Sequence, residues 1–183
     1  MNYFIVVLGA ILAVGVYYFN QLVRCQNLLR EALSGMDVQL KRRHDLIPNI
    51  VEAVKGYKEY EQGVLEKMTR LRNPLLSAST IQEKGAAENN FSQALKTIFA
   101  VAESYPDLKA SQNFLDLQKN LVEIEDQIQM ARRYYNGTVR NYNILVQAFP
   151  GNVLSGILNF KTVEYFEIEY ATDRQVPDVK LNT

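Results

Sequence analysis

The order of apolar and polar residues divides this chain into two regimes. From Tyr3 to Phe19 (YFIVVLGAILAVGVYYF) seventeen residues pass without a charge, a run that reaches roughly 25 Å as a helix. That is slightly short of a bilayer core, and Leu22 and Val23 can lengthen it. From Leu33 onward the apolar positions step instead by three and four. The series Leu33, Met36, Leu40, Arg43, Ile47, Ile50, Val54, Tyr57, Glu61, Val64, Met68, Leu71 is apolar at ten of twelve places, the stripe by which one helix packs on another. Pro48 and Gly56 interrupt it, and a kink is expected just before Pro48, where the ring removes a donor and presses on the preceding turn. Asn73-Pro74 closes the segment, and Ser77 to Thr80 reads as a loop.

A second helix is expected from about Gln82 to Ser104, with Phe91, Leu95, Ile98 and Ala102 on one face. Tyr105-Pro106-Asp107 ends it, because a residue before proline is steered away from helical geometry. Asp107 or Ser111 is placed to cap the helix that follows. That next helix carries the longest signal in the chain: Phe114, Leu117, Leu121, Ile124, Ile128, Ala131, Tyr135, Thr138, Tyr142, Leu145 and Phe149 keep strict 3,4 spacing over 36 residues. Each large apolar member contributes about 1.5–3 kcal/mol on burial, before entropy is subtracted. A seam of that length needs a partner of similar length, and the Leu33–Leu71 seam supplies one in an antiparallel arrangement, with the middle helix completing the layer. Pro150-Gly151 stops the helix, and Asn152 to Asn159 suits one more helical piece. The tail Phe160 to Thr183 reads equally as strand, short helix or extended strap. The pattern thus predicts an all-α chain: a transmembrane anchor at 1–20, then an antiparallel helical bundle of long helices at 21–183, ending in a short tail.

The flanks of the apolar run set its expected placement. Tyr3 at one end and Tyr17 and Tyr18 at the other suit membrane interfaces, where a ring and a hydroxyl are both satisfied, and Arg24 stands just beyond. No Lys or Arg precedes the run, whereas Arg24, Arg30, Lys41, Arg42 and Arg43 follow it. The positive-inside rule then puts the bundle in the cytoplasm and the short N-terminus on the far side of the membrane. A secretory signal would carry a basic start, which Met1-Asn2 does not supply in its side chains. Gly9 and Ala13 form a small-xxx-small pair, more simply read as part of a lipid-facing surface than as a helix–helix contact.

Composition removes whole classes of chemistry. Twenty Lys plus Arg balance twenty Asp plus Glu, so no global field draws nucleic acid. The single cysteine, Cys25, has no intrachain disulfide partner, and the single histidine, His44, leaves too few soft ligands for zinc or copper. No cofactor and no catalytic residue is therefore expected. The cluster Lys41, Arg42, Arg43 is a candidate contact for lipid headgroups or a partner's acids. In the alternative structural reading Arg42 and His44 face solvent, Arg43 pairs with Glu123 or Glu125, and Asp37 pairs with Lys41 one turn on. Outside the seams, Leu46, Val51, Leu75, Leu76, Val122, Ile144 and Val146 are apolar residues to watch for self-association.

The run Asp37-Val-Gln-Leu-Lys-Arg-Arg-His-Asp-Leu-Ile-Pro-Asn-Ile-Val-Glu52, with Val54-Lys-Gly-Tyr57, resembles the signature of the LemA family. So do Tyr105-Pro-Asp-Leu-Lys-Ala-Ser, Ala131-Arg-Arg-Tyr-Tyr-Asn136, Tyr142-Asn143, Phe149-Pro-Gly-Asn152 and Tyr165-Phe166-Glu167. The resemblance covers nearly the whole chain. It implies a bacterial membrane protein with one N-terminal span and an antiparallel helical bundle, without enzymatic activity and without catalytic residues to transfer. Two functions are compatible with it. One is a membrane-anchored scaffold or adaptor that self-associates as a homo-oligomer and organises partners at the membrane lipid surface. The other is a regulatory subunit of a membrane-bound metalloprotease or envelope-stress system.

Overall fold

A computed structural model describes residues 2–55, Ala78 and residues 80–167. Among them are six helices and no strand: α1 Asn2–His44, α2 Ile47–Lys55, α3 Ile81–Ala102, α4 Pro106–Ala110, α5 Gln112–Gln147 and α6 Gly151–Leu158. The part of the first seam from Tyr57 to Leu71, Gly56, Asn73-Pro74 and the pair Leu75 and Leu76 lie outside the described residues.

The apolar N-terminal run and the start of the bundle are one helix. α1 continues for 43 residues, about 65 Å at 1.5 Å per residue, and none of its apolar stretch is buried. The core starts at Leu22 and runs through Leu29, Ala32, Met36 and Leu40. α1 ends at His44, one residue before a turn at Asp45-Leu46. Its last turn holds His44 and the cations Lys41, Arg42 and Arg43, whose charge suits the negative end of the helix dipole. Pro48 sits second in α2, where a missing N–H costs little. The expected kink is therefore a turn that divides the first seam into two helices.

Two apolar clusters fill the bundle. The proximal one joins Leu22, Leu29, Met36 and Leu40 of α1 to Ile124, Ile128, Tyr135, Val139, Tyr142 and Val146 of α5. The distal one joins Ile47, Ile50 and Val54 of α2 and Phe91, Leu95, Ile98 and Ala102 of α3 to Phe114, Leu117 and Leu121. The chain ascends from Leu22 to Val54 while α5 descends from Phe114 to Val146, so the two seams are antiparallel, as the spacing predicts. Leu46 packs against both clusters.

Several local expectations change. α3 starts one residue before the expected Gln82, with a reciprocal cap whose first member, Thr80, ends the segment read as a loop: Thr80 Oγ1 accepts the Glu83 N–H and Glu83 Oε2 accepts the Thr80 N–H, both at 3.1 Å. Ser111 precedes α5 but makes no side-chain cap, and Asp107 lies in the first turn of α4. Near the end of α5 the buried face rotates: Val139 and Val146 are core, while Phe149 is 82 % exposed. Val146, expected among the surface candidates, is thus internal, and Leu46 and Val51 pack against the core. Val122 and Ile144 are exposed as the spacing suggests.

Candidate functional site

The basic run at the end of α1 meets α3 at the junction of the two cores. Arg43 and His44 are both buried, against a buried Glu88 from α3. Arg43 Nη1 donates to Glu88 Oε2 at 3.1 Å and Nη2 donates to Ser92 Oγ at 3.0 Å. On the far side Nη1 also lies 3.0 Å from Glu125 Oε2 of α5, close enough for ion pairing. His44 Nε2 stands 2.6 Å from the other Glu88 oxygen, Oε1. Phe91 closes the cluster: the guanidinium sits 5.0 Å from its ring centre and the imidazole meets it edge-on at 5.5 Å. Both oxygens of Glu88 are thus satisfied, the condition under which a buried carboxylate is tolerable.

This geometry sorts the three basic residues singled out from sequence. Lys41 and Arg42 are exposed, with Arg42 Nη1 held by Gln39 Oε1 at 3.4 Å. Arg43 is internal, which removes it from any lipid or partner contact at the surface. Of the two acids proposed for it, Glu125 is the partner found, and Glu88 is an additional one. His44 is not solvated, contrary to the sequence reading, because α3 delivers an acid to it that no local spacing announces. Asp37 pairs across to Lys84 of α3, with Nζ 2.6 Å and 2.8 Å from its two oxygens, so its bridge is between helices and not along α1. A cleft of about 190 Å³ lies over this side, lined by Asp37, Leu40, Lys41, His44, Ala78, Lys84 and Glu88. Within the cluster the Ser92 hydroxyl engages Arg43 and His44 Nε2 is committed to Glu88, while the buried Arg43 Nε has no hydrogen-bond partner among the described residues. Among the described residues no group of three or more His, Cys, Asp or Glu is arranged to hold a metal ion.

The four residues assigned to the membrane interface lie on α1 before or at the edge of the bundle. Tyr3 is 89 % exposed. Tyr17 and Tyr18 are neighbours in an edge-on ring pair at 5.4 Å, and Tyr17 accepts a hydrogen bond from Gln21 at 3.3 Å. Arg24 is exposed.

A second polar device holds the start of the tail. Residues 160–167 form an extended strap, and 168–183 lie outside the described residues. Asn143 of α5 accepts the Val163 N–H at 2.9 Å and donates to the Val163 carbonyl at 2.8 Å. Asn136 does the same for Phe166, at 2.8 Å and 3.1 Å. Each amide side chain takes the place of a neighbouring strand for one residue. The match is metric, since seven residues of helix rise about 10.5 Å and three residues of extended chain span about 10 Å. Tyr135 adds a hydrogen bond to the Glu164 carbonyl at 3.2 Å, and Phe166 is buried under the Arg132 guanidinium, 5.5 Å from its ring centre. Burial first, and the Glu164 charge second, push the Tyr135 hydroxyl pKa above its ordinary value; burial alone raises that of Tyr142. At the end of the strap a Cβ on Gly85 would come within 2.7 Å of the Glu167 carbonyl oxygen, so α3 touches the strap through bare backbone. Sequence reading quoted Asn136 and Asn143 only as parts of the family signature and gave them no role. Asparagine favours caps and turns over helix interiors, but Asn113 and Asn120 of the same helix are also seven apart, so spacing alone does not single out the clamp.

Residues 32–181 match the family model described as the LemA family. Among curated proteins, the chain is 30 % identical to Protein LemA of Metamycoplasma hominis over 175 residues, covering 90 % of this chain and 78 % of that one. It is 26 % identical to magnetosome protein MamQ 2 of Paramagnetospirillum magneticum and 24 % identical to magnetosome protein MamQ of Magnetospirillum gryphiswaldense. Each of these two alignments covers 86 % of this chain and 68 % of the relative.

Proposed function

The chain belongs to the LemA family, and from that membership and the fold we propose that it is a non-enzymatic, membrane-anchored scaffold that self-associates and presents its bundle to partners at the bilayer. In this reading the apolar half of α1 spans the inner membrane, the short N-terminus lies outside, and the bundle stands in the cytoplasm on the side of Arg24. α1 passes from apolar run to bundle without a break, so the anchor holds the bundle as a rigid extension of itself. Anchoring in two dimensions raises the effective concentration of copies, so weak lateral contacts suffice.

The observation that carries the reading is α1 itself, whose apolar half is unburied and runs without a break into the bundle. Leu115, Val122 and Ile144 are 44 %, 59 % and 56 % exposed and fall within about 40° of one another on a helix of 3.6 residues per turn, on a strip that the exposed Asp126, Arg133 and Arg140 share. In this reading that mixed apolar and charged strip is the contact face between copies. Lys41 and Arg42, exposed at the end of α1, are the charged groups available to an acidic partner. Two of the relatives are named as magnetosome proteins. Mass photometry of the full chain in nanodiscs tests the reading. Oligomers are expected for the parent and predominantly single copies for Val122→Glu. Strictly monomeric particles of the parent at micromolar loading would overturn self-association and leave a regulatory subunit as the better account.

A further inference from the structure

The end of the bundle where α5 gives way to α6 is without charge for twenty residues, Asn141 to Phe160. A helix on a water-facing surface ordinarily shows charged and polar groups outward. α6 instead exposes Val153 at 53 %, Ile157 at 74 % and Leu158 at 44 %, and Phe149 in the turn before it is 82 % exposed. Its inner face is fixed: Gly151 and Ser155 are buried, and Leu154 packs on the proximal core. Gly151 is required there, because a Cβ would collide with the Leu145 carbonyl. The Asn159 backbone, in the left-handed region at φ 58°, ends the helix.

The place of this helix is decided by what it touches. A Cβ on Gly151 would lie 3.7 Å from the Tyr18 ring, and Tyr18 is the last residue but one of the apolar run of α1. Leu22, one turn further, shares the proximal core with Leu145, Val146 and Leu154. Charge then resumes on all three segments that leave this end, and each first charge is basic and exposed: Arg24 on α1, Arg140 on α5 and Lys161 after α6. An apolar plate continuous with an apolar rod, rimmed by cations, is the pattern of a surface that rests in a bilayer interface beneath anionic headgroups.

We infer that α6 and Phe149 are a second membrane contact, lying in the interfacial layer of the leaflet from which α1 emerges. The inference rests on the reading of α1 as a span. Phe149, Val153 and Ile157 enter the acyl boundary, while Arg24, Arg140 and Lys161 reach headgroup phosphates. A single span leaves rod and bundle free to tilt together in the bilayer; a lateral plate fixes that tilt and so fixes which faces of α5 look along the membrane.

The chain has no tryptophan, so single introduced indoles report their own surroundings. The full chain is reconstituted in vesicles of phosphatidylcholine and anionic phosphatidylglycerol, with and without bromine on the upper acyl carbons. Ile157→Trp is expected to lose about half of its emission in the brominated lipid, as an interfacially inserted side chain should. Phe149→Trp, a change between aromatics in the exposed turn, repeats the test should Ile157→Trp disturb α6. Val7→Trp within the α1 run should be quenched, and Met130→Trp on the outer side of α5 should not. Quenching of Val7→Trp without quenching of either α6 reporter overturns the inference and leaves the span standing. A blue-shifted but unquenched α6 reporter overturns it too, in favour of a second copy covering the plate. Loss of quenching at Val7→Trp removes the span itself, and the inference with it.

Discussion

Replacing Arg43 tests how the two cores are joined. Glu88 is 1 % exposed and Arg43 5 %, so Arg43→Met leaves a buried acid with His44 as its remaining polar neighbour. Breaking a buried pair from one side costs about 3–5 kcal/mol. The methionine preserves the apolar stem over Phe91 and adds no packing defect, so a value near 3 kcal/mol is expected, at the lower end of that range. Glu88→Leu should cost less, about 2 kcal/mol, because Arg43 keeps Ser92 and the partly exposed Glu125 at 3.0 Å. The double variant removes both charges, so its loss should fall short of the sum by about 1–3 kcal/mol. Urea titration followed by far-UV circular dichroism measures all three, on a fragment from Asn20 onward that retains the described core from Leu22. Losses that add to within about 0.5 kcal/mol would refute the pair as a coupled unit.

Ile128→Ala, at a position 1 % exposed, should destabilise the same fragment by about 2–5 kcal/mol through lost burial and a residual cavity, while the adjacent exposed Gln127→Ala should change little; equal melting temperatures would contradict the phase of α5. Asn143→Leu strands the Val163 N–H and carbonyl, at a cost of about 1–3 kcal/mol, and hydrogen exchange at the Val163 amide should quicken; unchanged protection there would dismiss the clamp. The raised Tyr135 and Tyr142 hydroxyls mean that the folded state holds their protons more tightly than the unfolded chain. Their stabilising contribution is complete below the ordinary tyrosine value near 10 and is lost as pH climbs through the raised one. Tyr135→Phe should therefore flatten the alkaline fall in melting temperature, and a fall as steep as the parent's would assign it to other groups.

Periodicity exposed the long-range plan of this fold, because burial on one helix face leaves a mark every three or four residues. The α3 face at Phe91, Leu95, Ile98 and Ala102 and the antiparallel pairing of α1 and α2 with α5 follow from it directly. What stayed hidden is polar and non-local. Nothing in the surroundings of His44 indicates that Glu88, forty-four residues on, will reach its ring. The residue pattern of Lys41-Arg42-Arg43 reads as one basic patch, yet a helix sends consecutive side chains about 100° apart. One of the three therefore turns inward while two remain in solvent. The strap was illegible for a similar reason: its partners are amide side chains on a helix, so it carries no alternation of its own for a strand pattern to detect.

The rotation of the buried face along α5 has a geometric cause. Its apolar positions were read with strict 3,4 steps, an average of 3.5, whereas a straight helix turns once in 3.6 residues, and the two drift apart by about 20° in each heptad. Over the five heptads between Phe114 and Phe149 the mismatch approaches 100°. A supercoil would absorb it, but α5 leaves α2 and α3 for α1 partway along and so follows no single partner. The buried set accordingly slips to later residues, from Thr138 to Val139 and from Leu145 to Val146. Phe149, last in the strict series, is carried out of the core. It emerges at the uncharged end of the bundle, next to α6, where an aromatic ring excluded from the core would be costly in water. The same drift that breaks the sequence-derived seam thus delivers the most exposed large residue of the α5–α6 turn to the side on which α1 leaves the bundle.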